Sequence, residues 1–373
     1  MRRTLIVTND FPPRQGGIQS FVHQLAVGQP EGSVVVYASD HGGSVEFDAR
    51  QPFPVVRHGT GLLLPTPLAR RRVVATLLAH DCTAVWFGAS APLGLLAPAL
   101  RAAGAQRIVA STHGHEVGWA MLPAGRQALR RIGRTCDVIT YLGEYTRRRL
   151  DGAFGPHATL RRLTPGVDIG TFHPGIDGSA VRARYGLSGR AVIVCVSRLV
   201  PRKGQDTLVR ALPAIRAAVP DAALLLVGTG PYRDEVAAIA RRAGVAQHVV
   251  LTGAVPRAEL PAHYAAGDVF AMPCRTRRAG MDVEGLGIVY LEASATGLPV
   301  LAGDSGGAPD AVREGETGYV VDGRDEHAVA RRLITLLQDG DLRARMGAAG
   351  RAWVEREWPW TVVAGHLTEM LQG

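Results

Sequence analysis

The chain has 373 residues, 46% of them hydrophobic and 20% charged, which excludes a disordered chain and leaves room for two cores. Its net charge of +9 lies wholly in the first half: residues 1–186 carry 21 arginines against 12 acids, while residues 187–373 balance at 21 each. A basic half implies an anionic partner (nucleic acid, acidic substrate or anionic membrane face) or a merely solvated basic surface, and with aromatics at only 6% nucleic-acid stacking platforms are scarce.

Taken in chain order, TLIVTN (4–9), SVVVYAS (33–39), AVWFGA (84–89), RIVAST (107–112) and VITYL (138–142) read as strands. Their near-continuous apolarity predicts parallel strands covered on both faces. Helical segments such as PLARRRVVATLLAH (67–80) separate them, so the series is βαβ. The first ten residues meet Asp10 before any long apolar run, which predicts no secretory leader, and no apolar stretch is long enough to span a bilayer. Residues 163–179, LTPGVDIGTFHPGIDGS, lack a period and read as an interdomain linker.

The pattern then restarts with AVIVCVSRL (191–199), ALLLVG (223–228), HVVLTG (248–253), VFAMPC (269–274), PVLAGD (299–304) and GYVVD (318–322). Two doubly wound α/β domains are expected, 1–168 and 169–354. The tail, 355–373, is a helix set off by Pro359. Ligands of such sheets bind beyond the carboxyl ends of the strands, so the loops there are the candidates. The four cysteines, Cys82, Cys136, Cys195 and Cys274, have no metal-binding spacing and read as buried reduced thiols.

Four strand ends carry unusual residues. After the first comes NDFPPRQGGIQ (9–19), where Gly16 and Gly17 precede a helix; this is either an anion site on free amides or a turn that needs glycine. After RIVAST come His113 and His115, too few ligands for zinc; either hydrogen-bonds in a site or serves packing. After the strand at 191–196 come Arg198, Arg202 and Lys203. Lys203 is the only lysine among 42 basic residues. A compact ammonium on a flexible stem fits a narrow phosphate site that a planar guanidinium does not fill equivalently, and neighbouring cations could neutralise a diphosphate.

The fourth end leads to DVEGLGIVYLEA (282–293), with Glu284 and Glu292 eight apart. Eight residues on one helix rise about 12 Å. A retaining glycosidase needs its carboxyls about 5 Å apart. The two are therefore expected to grip separate ends of one extended ligand through its hydroxyls. In the first half, GLLLPTPLARRRVVATLL (61–78) sets an apolar loop beside Arg70, Arg71 and Arg72. Such a wedge suits an anionic lipid surface, and the same pattern also describes an ordinary helix with its apolar face in the core.

TNDFPPRQGGIQSF, STHGHEVGW, SRLVPRKGQD and DVEGLGIVYLEA together resemble the retaining GT-B glycosyltransferases of family four, and look closest to actinobacterial phosphatidylinositol mannoside mannosyltransferases of the B-prime type. The motifs run from about residue 8 to 310. The resemblance implies two Rossmann-like domains around a cleft, with the last helix crossing back onto the first domain. It implies transfer of mannose from GDP-mannose, with retention and without metal or other cofactor, to a glycolipid at the inner membrane leaflet. The enzyme would then be cytoplasmic and peripheral on that anionic surface, with no nucleic-acid partner. Carried over, Arg198 and Lys203 bind the donor diphosphate. Glu284 and the amides of Gly285, Leu286 and Gly287 contact the transferred sugar, and Glu292 takes the ribose hydroxyls. Gly16 and Gly17 line the phosphate side, His113 (or His115) stands near the sugar, and Asn9, Asp10 and Gln19 face the acceptor with Arg70, Arg71 and Arg72. The rival readings are a GT-B enzyme using another nucleotide-sugar on a soluble acceptor, and a non-catalytic nucleotide-sugar or nucleic-acid binder.

Overall fold

The computed structural model describes residues 1–280 and 282–373. They form two compact units, Met1–Gly166 with Trp360–Gly373, and Val167–Pro359.

The first unit is built on seven strands: β1 (Thr4–Thr8), β2 (Val34–Ala38), β3 (Val55–Arg57), β4 (Ala84–Phe87), β5 (Arg107–Ser111), β6 (Val138–Tyr141) and β7 (Thr159–Arg162). All pairs are parallel, in the order β3-β2-β1-β4-β5-β6-β7. The alternation along β1 explains its unbroken apolarity. Leu5 and Val7 enter one core and Ile6 the other. Helices Pro67–Ala79, Ala97–Ala102 and Pro123–Thr135 cover the first face, and helices Gly17–Val27 and Trp360–Gln372 the second.

The second unit has six parallel strands: β8 (Val192–Val196), β9 (Ala223–Val227), β10 (Val249–Gly253), β11 (Val269–Met272), β12 (Val300–Gly303) and β13 (Gly318–Val321), in the order β10-β9-β8-β11-β12-β13. A single large core fills both faces.

The helix Gly340–Glu357 stops before Pro359, which cannot donate the next backbone hydrogen bond. The chain leaves and re-enters the second unit side by side there: Val167 N donates to Trp358 O at 2.8 Å. The last helix, Trp360–Gln372, then joins the first unit. Arg2 N donates to Gln372 Oε1 at 2.8 Å, and Arg107 Nε to Met370 O at 2.7 Å.

In both sheets the chain reverses its winding at one point: between β1 and β4 in the first, between β8 and β11 in the second. Loops leaving those strands diverge there, opening the crevice that doubly wound sheets use for ligands. β3 and β7, the two outer strands, had no counterpart in the sequence reading.

Candidate active site

In the second unit, β8 runs into a single 3-10 turn, Pro201–Lys203, and then into the helix Gln205–Ala218. Gly204 makes the junction. Its φ is +76°, and a Cβ there would lie 2.0 Å from Pro273 O, so only glycine allows the β8 and β11 loops to approach this closely. Lys203 is thereby held inward, 8% exposed. Its Nζ donates to Glu284 Oε2 at 2.5 Å, and Arg202 Nη1 donates to the same oxygen at 2.6 Å. Arg202 Nε also lies 3.2 Å from Asp282 Oδ1.

The loop carrying Glu284 is fixed from three sides. Arg275 N donates to Arg202 O at 2.8 Å, and the Arg275 guanidinium bridges both oxygens of buried Asp206 at 2.9 and 2.8 Å. Burial opposes ionisation of Asp206, but Arg275 and Arg210 overcome it and hold the carboxyl below its ordinary value. Gly307 N donates to Glu284 O at 2.9 Å. A Cβ on Gly306 would meet that carbonyl at 1.9 Å, with φ at +58°.

Glu284 itself lies in the loop. Only Glu292 is on the helix, Ile288–Ala295, so the eight-residue helical rise does not separate them. Gly287 (φ +81°) caps the helix start. Among the described residues, no oxygen accepts from the amides of Gly285, Leu286 or Gly287, which leaves three donors at a helix N-terminus beside Glu284. Glu292 accepts from Tyr264 Oη at 2.7 Å. Burial raises its pKa, against the opposing pull of that hydroxyl and of Arg257.

Arg198 stands apart from this cluster. Its backbone is held, since Gln205 Nε2 donates to Ser197 Oγ at 2.8 Å and to Arg198 O at 3.1 Å, but its side chain is exposed and has no partner among the described residues. Arg202, which the sequence groups with Arg198 and Lys203 as cations for a diphosphate, is the second cation on Glu284. Asp282, Ser305, whose Oγ accepts from Glu284 N at 3.4 Å, and the Gly306–Gly307 turn were not singled out. The adjacent glycines after the strand PVLAGD were the available signal.

In the first unit, Gly16 N-caps the helix Gly17–Val27. A Cβ on Gly16 would strike Gln19 Oε1 at 2.1 Å, whereas one on Gly17 would meet nothing within 4 Å. Gln19 Nε2 donates to Asp10 Oδ1 at 2.7 Å. Asn9 takes both backbone groups of Leu63, donating to its carbonyl at 2.7 Å and accepting from its amide at 2.6 Å. That clamp buries Leu63 and turns Leu62 and Leu64 outward, 61% and 44% exposed.

His113 follows β5. Its Nε2 lies 2.6 Å from Gly88 O, and because a carbonyl only accepts, Nε2 carries the proton and Nδ1 keeps its lone pair. Burial pushes its pKa down, against Glu116 and the bond to Gly88. Glu116, fully buried, accepts from the amides of His113 and Gly114 at 3.0 and 3.1 Å and shapes this turn. His115 lies 3.3 Å from Glu116 Oε1 and points further into solvent. Glu116, three residues after His113, holds the turn that precedes the helix and was not singled out in the sequence.

Arg70, Arg71 and Arg72 lie in the first turns of the helix Pro67–Ala79, all exposed. Arg72 is tied back, its Nη1 donating to His58 O at 2.7 Å. The four thiols are free and buried. Among the described residues no cluster of three or more His, Cys, Asp or Glu has the arrangement of a metal site, and no helix is long and apolar enough to cross a membrane.

Comparison with known proteins fits this geometry. Residues 15–171 match the family Glycosyltransferase Family 4, and residues 180–353 match Glycosyl transferases group 1. A GDP-mannose-dependent alpha-(1-6)-phosphatidylinositol monomannoside mannosyltransferase of Mycolicibacterium smegmatis is 56% identical over 99% of this chain and 98% of its own. The GDP-mannose-dependent monoacylated alpha-(1-6)-phosphatidylinositol monomannoside mannosyltransferase of Corynebacterium glutamicum is 48% identical over 100% and 98%. Among solved structures, Anabaena HepE in complex with UDP superposes with a TM-score of 0.81 at 22% identity, over 99% of each chain.

Proposed function

We infer the reaction from the family: this chain belongs to the GT-B glycosyltransferases of family four. It is a mannosyltransferase that moves mannose from GDP-mannose to a phosphatidylinositol mannoside acceptor. The observation that carries this is the 56% identity, over nearly the whole of both chains, to an enzyme named for that donor and acceptor.

The residue roles proposed are those the family resemblance implies, and charge and position within each unit support them. The donor diphosphate is a dianion or more, and Lys203 with Arg202 and Arg198 supplies cations in the loop after β8. They stabilise the negative charge that builds on the departing GDP, as a metal would otherwise do. Glu284, set between those cations and three free amides, takes hydroxyls of the mannose. Glu292, a helical turn further on, takes the ribose hydroxyls. Gly17, over which a side chain would find open space, lets the backbone approach the phosphate side.

Retention follows a same-face course. The acceptor hydroxyl bonds to the anomeric carbon as the bond to the diphosphate oxygen breaks, and that oxygen takes the hydroxyl's proton. Electrons and proton balance with no protein nucleophile. His113, with Nδ1 unprotonated, accepts a hydrogen bond from the sugar and does not itself become charged. Asn9, Asp10 and Gln19 face the acceptor, and the enzyme is peripheral on the inner membrane face, held through the Leu62–Leu64 loop with Arg70 and Arg71.

Purified protein given GDP-mannose and phosphatidylinositol monomannoside should yield the dimannoside with an α linkage, and EDTA should leave the rate unchanged. Turnover with UDP-glucose on a soluble acceptor, and none with this pair, would overturn the reading. Replacing Arg70, Arg71 and Arg72 together with Gln should weaken salt-sensitive binding to phosphatidylinositol vesicles. Unchanged binding removes the role of that helix.

A further inference from the structure

A second basic surface lies on the first unit, at the helix Pro123–Thr135. Leu129, Ile132 and Gly133 face the core. The outward face carries Arg126, Arg130 and Arg134 at four-residue steps, with Arg131 beside them, all exposed. None has a carboxylate partner among the described residues, and the sequence holds no acid between Glu116 and Asp137. The unit's neighbouring arginines behave otherwise: Arg101 pairs with Asp137, and Arg147 and Arg148 with Glu144. The chain enters this helix through Met121 and Leu122, which are 64% and 63% exposed. An open groove of about 1110 Å³ runs between the arginines and this apolar entrance.

Each half of this arrangement is unfavourable in water. Like charges four apart on a helix repel, and two large apolar side chains stand in solvent. An anionic interface with an apolar interior relieves both. A polyanion such as nucleic acid would take the arginines and leave Met121 and Leu122 wet.

The topology adds a second observation. The helices Pro67–Ala79 and Pro123–Thr135 cover the same face of the seven-stranded sheet. In a parallel βαβ series each helix begins at the carboxyl edge of the strands. The Leu62–Leu64 loop and the Met121–Leu122 entrance therefore occupy the same edge of the same face, each followed by exposed arginines.

We propose that the Pro123–Thr135 helix and its Met121–Leu122 entrance are a second membrane contact, which lies on an anionic phospholipid bilayer beside the Leu62–Leu64 loop. This rests on the peripheral-membrane reading above. The bilayer takes Met121 and Leu122 at the depth of its interface, and lipid phosphates take the four guanidiniums.

The test is cosedimentation of the full chain with phosphatidylcholine vesicles with and without phosphatidylinositol. The quadruple variant R126Q/R130Q/R131Q/R134Q should bind the anionic vesicles on the order of a thousandfold more weakly. M121S/L122S should bind several-fold more weakly and keep the parent's salt dependence. Both should keep the parent's thermal shift with GDP, a readout from the other unit. A quadruple variant that binds as the parent does overturns this proposal and leaves the Arg70–Arg71 contact standing. A parent that ignores anionic vesicles overturns the membrane reading as a whole. Loss in the quadruple variant with none in M121S/L122S overturns the bilayer as occupant, in favour of a soluble polyanion.

Discussion

Lys203 Nζ and Glu284 Oε2 are 2.5 Å apart, although 81 residues separate them in sequence. The pair joins the two loops that leave β8 and β11. Removing the acid leaves two cations facing each other, and removing the ammonium leaves Arg202 alone on the carboxylate. Glu284→Gln keeps the shape and should keep the fold by circular dichroism. It should lower kcat/KM by about 10²–10³, the range for losing one preorganised polar group at developing charge. Near-normal turnover would remove Glu284 from the site.

Lys203→Arg tests why one ammonium persists among guanidiniums. The planar fork cannot occupy the same buried position beside Arg202, so the variant should bind GDP more weakly than the parent in a thermal-shift titration. Equal stabilisation by GDP would show that any cation serves.

Gly204→Ala sets a Cβ against Pro273 O at a φ of +76°. The backbone conformation alone costs about 1–3 kcal/mol, before the clash. For a unit of this size each kcal/mol lowers Tm by about 2–4 °C. Calorimetry should show the fall, and donor KM should rise because Lys203 is displaced. An unchanged melting curve would mean that the two loops part freely.

His113 supplies a pH dependence. Burial holds its folded pKa below the ordinary value of about 6.5. Its contribution to stability is therefore complete above about pH 6.5 and is lost as the pH falls through the folded value, because the unfolded chain takes up the proton first. Urea midpoints measured at pH 7.5 and at pH 5.5 should differ more for the parent than for His113→Gln. Equal differences would mean that the imidazole is not neutral by burial.

The thiols should be silent. Burial pushes Cys136 up to about 12 and Cys82, Cys195 and Cys274 up to about 11. A thiol reagent at pH 8 should label none of them in the native protein and all four in denaturant. Rapid native labelling of any one would place it in a more open environment.

Much of this was legible in the sequence, for identifiable reasons. The central strands announced themselves because sheets covered on both faces need apolar residues at every position, as β8 and β9 do. β3 and β7 escaped because edge strands face one core or none: TLRR in β7 is almost wholly exposed. Lys203 and Glu284 stood out by rarity and spacing. Arg202 on Glu284 and Asn9 on Leu63 did not, since each depends on tertiary approach across 82 and 54 residues. The sequence groups Arg72 with Arg70 and Arg71 as lipid-facing or solvent-facing, whereas its tie to His58 O needs the fold to be seen.

The return of the last helix to the first unit makes the second unit a contiguous insertion, residues 167–359, within a split partner. During synthesis the insertion has all its residues before its host does. The host waits for Leu367 and Leu371, which are fully buried beneath its sheet, and these arrive with the final turns of the chain. A chain truncated just after Pro359 should therefore hold a protease-resistant second half and an unsealed first half, and a nonsense codon near the end should be as damaging as one near the middle.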